Sequence, residues 1–281
     1  MRKCAWITDS TSGLSEEFIK EHDIYVIPLN VMVNKVSYKE NIELTADEFY
    51  EKLSEHGEGA MTSQPAFGEF VNLYEELKEH YDYGIAIHAS KMLTGTYESS
   101  KVASKQTGFS VEVIDSKMGN YALGKMIKNG LEMEAQGKTY EEIVTKLQSF
   151  PDEAEMFLLP ESLEQMKRSG RVSAPKAMFA SLLNINIILG FENGKVVVKD
   201  RVRTKKRAER RLFTIITEAI ENHKLDEISV MHAGMKEKAL KWKREIEAMH
   251  DQLQVQIDTL VPVAGVHAGY GTMAVSWLKT K

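Results

Sequence analysis

The chain has a single cysteine, Cys4, set in the apolar run Cys4-Ala5-Trp6-Ile7. One cysteine closes no internal disulfide and builds no cysteine-cluster metal site, so Cys4 reads as a small buried hydrophobe. No apolar stretch approaches the roughly 18 residues that would span a bilayer. The first ten residues hold no hydrophobic segment long enough for a signal peptide, and a cytoplasmic protein is expected. Positive charge is not in excess either. The 36 Lys and Arg face 41 Asp and Glu, for a formal net charge of −5, so the chain as a whole is not built to neutralise nucleic acid. Two catalytic signatures are missing. There is no Gly-x-Ser-x-Gly elbow for a hydrolase nucleophile, and no Gly-x-x-x-x-Gly-Lys-Ser/Thr loop to seat ATP. Tandem repeats and low-complexity segments are absent as well.

What is present is an ordinary globular balance, 43% hydrophobic and 27% charged over 281 residues. That length favours two domains. Residues 1–152 alternate short apolar strands with amphipathic helices, which predicts a parallel sheet with helices on both faces. Strands are expected at 4–8, 25–33, 83–88 and 111–114, with a hairpin turn at Asn34-Lys35. Helices are expected after Ser15, after the capping box Thr45-x-x-Glu48 and from Phe67. Residues 153–281 read as a mixed sheet covered by a few helices. They include a hairpin around Asn193-Gly194 and helices over Ala174–Leu182, Thr204–His223 and Lys236–His250.

Hydroxyl-rich loops recur at the ends of these strands: Thr8–Ser12, Ser90–Thr96 and Asp115-Ser116. A further polar stretch, Met61-Thr62-Ser63-Gln64-Pro65-Ala66, leads into a helix, with Pro65 suited to its first turn. Such loops at strand ends and helix starts suit an anion. Each read singly is equally a helix cap or turn. The same holds for His267 in the glycine-rich stretch Val263–Gly271, which alone is equally a structural histidine. Lys199–Arg211 carries eight basic residues, and the default reading of such a run is a solvated helix face.

In their order along the chain, Thr8-Asp9-Ser10, Thr62-Ser63-Gln64-Pro65, Leu93-Thr94-Gly95-Thr96, Arg168-Ser169-Gly170-Arg171 and Gly265-Val266-His267-Ala268-Gly269 make this sequence resemble the DegV family. The resemblance runs over essentially the whole length. It implies two α/β domains, a parallel sheet sandwiched by helices and a mixed sheet with helices on one side. One long-chain fatty acid is expected between them. By position, Thr62, Thr94 and His267 would hold the carboxylate, with Ser63 close enough to assist. The tail would lie in an apolar tunnel, with Phe179, Leu182, Ile187 and Ile188 expected in its lining.

The family also implies a non-catalytic role as the acid-binding subunit of a bacterial fatty acid kinase. A separate ATP-binding subunit would make the acyl phosphate and dock near Arg171 and Arg203. The charge there would also suit transient contact with an anionic membrane. No cofactor and no nucleic acid are expected. Departures from the family's pattern stand at Ala66, where Ser is common, and at Thr94, where Ser is replaced with the hydroxyl kept. Asn186-Ile187 replaces a frequent Lys-Pro, and Tyr270 replaces Pro. The competing reading is an autonomous hydrolase or acyltransferase with Ser63 as nucleophile and His267 as base.

Overall fold

The alternation of apolar strands and amphipathic helices becomes the following chain in the computed structural model, which describes residues 3–56, 59–173 and 185–279. The first half runs β1 (Cys4–Asp9), α1 (Glu16–Glu21), β2 (Tyr25–Ile27), β3 (Asn30–Val33), β4 (Val36–Lys39), α2 (Ala46–His56), β5 (Met61–Ser63), α3 (Phe67–Lys78), β6 (Tyr83–His88), α4 (Thr96–Thr107), β7 (Val111–Asp115), α5 (Tyr121–Ala135) and α6 (Tyr140–Ser149). The second half runs β8 (Ala154–Leu159), α7 (Leu163–Ser169), β9 (Asn186–Glu192), β10 (Lys195–Val202), α8 (Lys205–His223), β11 (Glu227–His232), α9 (Lys236–Met249), β12 (Gln254–Thr259), α10 (Pro262–Ala268) and β13 (Met273–Leu278).

Strands β2, β1, β6 and β7 form a four-stranded parallel sheet in that order. Successive side chains on a strand face opposite sides, so each strand feeds two cores. Trp6, Ile85 and Ile87 pack with Leu123, Met126 and Ile127 of α5 and Leu147 of α6. Ala5, Ile7 and Ala86 face the other way, onto Phe70, Tyr74 and Leu77 of α3. The sheet is therefore covered by helices on both faces, as the β-α alternation predicts. The second sheet has six strands in the order β10-β9-β8-β13-β11-β12 and mixes parallel and antiparallel pairs. One face is covered by α8 and α9 through Leu212, Ile216, Trp242 and Ile246. Its other face, with Met156, Leu158, Leu189 and Ala274, packs against Val31, Phe49, Tyr50 and Tyr121 of the first half.

Three details depart from the sequence reading. The apolar run 25–33 is not one strand. Pro28 has no N–H for a ladder, and the chain leaves the parallel sheet there, so that β3 joins a separate antiparallel sheet ordered β4-β3-β5. In it Asn34 and Lys35 make the expected turn, both at positive φ (51° and 65°). The polar stretch from Met61 is partly strand, because Met61–Ser63 adds to β3. Ala66, rather than Ser63 or Gln64, then caps α3, and Glu69 accepts a hydrogen bond from the Ala66 N–H at 3.1 Å. The glycine-rich stretch 263–271, given no element from the sequence, is largely helix, α10, begun by Pro262. The helix expected over Ala174–Leu182 lies outside the described residues.

Glu40 ties the pieces together. It is 1% exposed. Its carboxylate accepts hydrogen bonds from the Ser10 hydroxyl and from the Val263 N–H at 2.7 Å. Ser10 in turn accepts from the Leu29 N–H at 2.9 Å, so one carboxylate anchors the end of β1, the β2–β3 link and the start of α10. Burial pushes its pKa up from 4.5 to about 7, and the Asp9 charge acts in the same sense. A carboxyl whose pKa rises on folding stabilises the fold below its unfolded value. That contribution is lost as pH rises through the folded value. Wild-type unfolding free energy, measured by denaturant titration, is therefore expected to fall, relative to Glu40→Gln, as pH rises from about 5 to about 8, by a difference on the order of a few kcal/mol. A wild-type minus Glu40→Gln difference that stays constant with pH would show that Glu40 does not titrate there.

Candidate functional site

In a parallel sheet ordered β2-β1-β6-β7, the order in which strands are added reverses at β1, with β2 on one side and β6 on the other, and ligands collect at such switch points beyond the strand ends. A cavity of about 440 Å³ opens there, toward the inner face of the six-stranded sheet. Its walls divide by chemistry. Thr11, Thr62, Ser63, Gln64, Thr94 and His267 supply the polar side. Met156, Leu158, Met166, Phe191 and Val196 supply an apolar wall.

Thr62 is the central residue of β5, and its Oγ1 lies 2.8 Å from His267 Nε2. The pair spans 205 positions of sequence. His267 Nδ1 is buried without a hydrogen-bond partner. Burial, with the Arg171 charge acting in the same sense, lowers the His267 pKa to about 4, so the imidazole is neutral near pH 7. The neutral form is the one the fold accommodates. Its contribution to stability is complete above pH 6.5 and is lost as pH falls through about 4. A neutral imidazole and a hydroxyl share two hydrogens and use one between themselves. If Nε2 carries the hydrogen, the Thr62 O–H is left over. If Nδ1 carries it, that N–H is left over. Either tautomer leaves one donor for a ligand.

The remaining predicted residues distribute around this pair. Thr94 lines the cavity, and its hydroxyl is 2.8 Å from that of Thr96. Ser63 also reaches the cavity, but its hydroxyl accepts from Asn30 Nδ2 at 3.2 Å rather than meeting His267. Neighbouring residues on a strand face opposite ways, so Thr62 and Ser63 cannot both turn to the imidazole. Arg171 is in the lining, with its guanidinium donating to the Ser169 carbonyl at 2.9 Å. Arg203 is exposed, just before α8.

Of the expected tunnel residues, Phe179 and Leu182 lie outside the described residues. Ile187 packs in the core between the halves, and Ile188, one step along β9, faces α8. Neither Ile187 nor Ile188 lines the cavity. Sequence reasoning missed Met156, Leu158, Met166, Phe191 and Val196. Alternation within 154–159 marks a two-faced strand, but which face meets the cavity depends on packing. It missed Gln64 as well. Gly95 has no Cβ, and one placed there would collide with the Gln64 carboxamide, which donates to Ser99 at 3.0 Å.

The family profile described as uncharacterised protein, DegV family, matches residues 3–280. The chain belongs to the DegV family. A DegV domain-containing protein of Listeria innocua is 32% identical over 277 residues, covering 98% of each chain. Protein DegV of Bacillus subtilis is 32% identical over 281 residues, covering 97% of this chain and 98% of its own. The crystal structure of that B. subtilis protein, described as a fatty acid binding protein, superposes with a TM-score of 0.90 at 30% identity over 100% of both chains. A fatty acid binding DegV family protein of Streptococcus agalactiae gives 0.91 at 27% identity, again over 100% of both. Tyr270, where the DegV pattern has Pro, sits outside the cavity lining and donates to the Gly234 carbonyl at 3.3 Å.

The seat of the His267 helix is tight. A Cβ on Gly265 would collide with the Tyr50 hydroxyl, which is buried and donates to the Leu260 carbonyl at 2.8 Å. Gly265→Ala is expected to destabilise the protein by about 1–3 kcal/mol, because either α10 shifts or the Tyr50 bond breaks. Tyr50→Phe, which removes the bond without crowding, is expected to cost about 1 kcal/mol and to relieve part of the Gly265→Ala penalty in the double variant. Denaturant unfolding of the three variants measures this, and strictly additive effects would refute the shared contact.

Proposed function

We propose that this chain binds one long-chain fatty acid, holds its carboxylate at the Thr62–His267 pair, and presents it to a separate ATP-dependent kinase subunit for acyl-phosphate formation. The observation that carries this reading is a neutral hydroxyl–imidazole pair, with one hydrogen to spare, on the polar side of a cavity that also has an apolar wall. The description of the B. subtilis and S. agalactiae relatives as fatty acid binding proteins supports the same ligand class. Residues 1–152 and 153–281 act in this reading as two domains with the acid between them.

The chemistry is consistent on both ends of the ligand. Hydrogen bonds to a charged acceptor contribute about 1.5–3 kcal/mol each, so Thr62, Thr94 and His267 suffice to hold a carboxylate without an ion pair. Ser63 keeps its O–H to donate while its oxygen accepts from Asn30, so it can assist. Each methylene buried against Met156, Leu158 and their neighbours adds about 0.8 kcal/mol. Arg171 leaves the carboxylate uncapped in this reading, so that one oxygen stays open to the phosphoryl donor. Arg171, Arg203 and the basic run to Arg211 suit docking of the kinase subunit, with an anionic membrane as a second electrostatic partner. The chain needs no cofactor of its own in this role and is not a catalyst alone. The hydrolase reading has less support, because the hydroxyl paired with His267 belongs to Thr62 and Ser63 is engaged by Asn30.

Lipid extracted from the purified protein is expected to contain one fatty acid per chain by mass spectrometry. Thr62→Ala combined with His267→Ala is expected to weaken binding of added acid by a few kcal/mol. Unchanged affinity in that variant would remove the head-group assignment. Arg203→Ala is expected to leave binding intact while slowing phosphorylation by the partner, and normal coupling would remove the docking assignment.

A further inference from the structure

A second, smaller hollow adjoins the cavity. That hollow, about 170 Å³, is bordered by Lys117, Asp152, Asn193 and Lys279. Met118 and Phe191 are the described residues that line both spaces, so they stand between them. The two sides differ sharply. Inside the partition stand Met156, Leu158 and Val196. Outside it, Lys117 Nζ meets Asp152 at 3.0 Å, with the carboxylate largely exposed.

The partition is fixed in place from both halves of the chain. The Met118 carbonyl accepts from the Ser90 N–H at 2.9 Å and from the Ser116 hydroxyl at 3.0 Å, and the Met118 N–H donates to Ser116 Oγ at 3.2 Å. Phe191 lies opposite Val196 in the β9–β10 hairpin. The tip of that hairpin docks on the first half, where the Ser90 hydroxyl donates to the Gly194 carbonyl at 2.7 Å. Gly194 has φ of 81°, and a Cβ there would crowd the Ser90 hydroxyl, so the approach needs glycine on both counts. The backbone on each side of the partition is thus held, while its bulk is one flexible thioether and one ring. A hydrocarbon tail that reached them would have to stop. Beyond lie charge and water, where a methylene gains nothing from burial.

We propose that Met118 and Phe191 form the closed end of the acyl cavity and set the longest fatty acid that this protein accepts. The inference rests on the fatty-acid reading and assigns these two residues as determinants of chain length. Shortening both side chains joins the cavity to the outer hollow and gives a longer tail room to extend.

The test uses the full chain and a series of saturated acids from myristic to behenic, each displacing a fluorescent fatty acid. Wild-type affinity is expected to rise with length, by up to roughly fourfold per buried methylene, and then to fall once the tail meets the partition. In Met118→Ala/Phe191→Ala the best-bound acid is expected to move to a longer member of the series. Met118→Leu, which conserves volume, is expected to keep the wild-type optimum. If the double variant does not fold by circular dichroism, Met118→Ala alone carries the comparison. An unchanged optimum in the alanine variant, or an equal shift in Met118→Leu, overturns the assignment. A wild-type protein that displaces no probe with any acid overturns the fatty-acid reading instead.

Discussion

Everything at the candidate site depends on how the four residues Leu260–Val263 are held. Three of their backbone groups are satisfied by side chains from the other half of the chain. Tyr50 donates to the Leu260 carbonyl at 2.8 Å, Asn120 Oδ1 accepts from Val261 N at 2.8 Å, and Glu40 accepts from Val263 N at 2.7 Å. These groups stand at the N-terminal end of α10, where helix N–H groups have no intrahelical partner. Fixing them fixes the axis of a seven-residue helix, and His267 rides on its last turn. Asn120 is itself held in an unusual conformation, φ 54° and ψ −130°, while its N–H donates to the Thr11 carbonyl at 2.6 Å. Backbone strain of this kind persists only where the surroundings over-determine it.

That arrangement explains how two residues so far apart in sequence meet at 2.8 Å. Thr62 reaches the site on β5, the third strand of a small sheet whose centre, β3, packs Val31 and Val33 into the core between the halves. His267 reaches it on a helix anchored to the same first half. The imidazole is desolvated, hence neutral, and has no partner at Nδ1. A buried group left short of a hydrogen bond costs free energy, on the order of 1–3 kcal/mol, until something supplies one.

The cavity's two-sided character follows from the fold rather than from any one motif. The polar residues come from the strand-end loops of the parallel sheet at Thr11 and Thr94, from β5 at Thr62 and Ser63, and from α10 at His267. The apolar residues come from the inward positions of β8, β9 and β10, where alternation already delivers hydrophobes to the face. Putting a loop-rich edge against a sheet face produces a slot that is wet on one side and dry on the other. An amphiphile with one charged end matches that slot.

Local pattern in the sequence indicated most strands and helices, the capping box at Thr45 and the Asn193-Gly194 turn, because each is decided by residues within a few positions of one another. Resemblance to the DegV family also pointed to Thr62, Thr94, Arg171 and His267, all of which line one cavity. What it left open was contact. Strand 25–33 breaks because Pro28 and the Ser10–Leu29 bond outweigh a continuous apolar run. Ile188 turns away from the cavity side because one step along a strand reverses the side chain. Met118, Phe191 and Leu158 come to the lining only through register and docking between the halves. The identity of the hydroxyl that pairs with His267, Thr62 and not its neighbour Ser63, was fixed by the pleat of β5. Local sequence determines which groups exist and in what element, whereas which groups touch is decided by packing over 205 positions of chain.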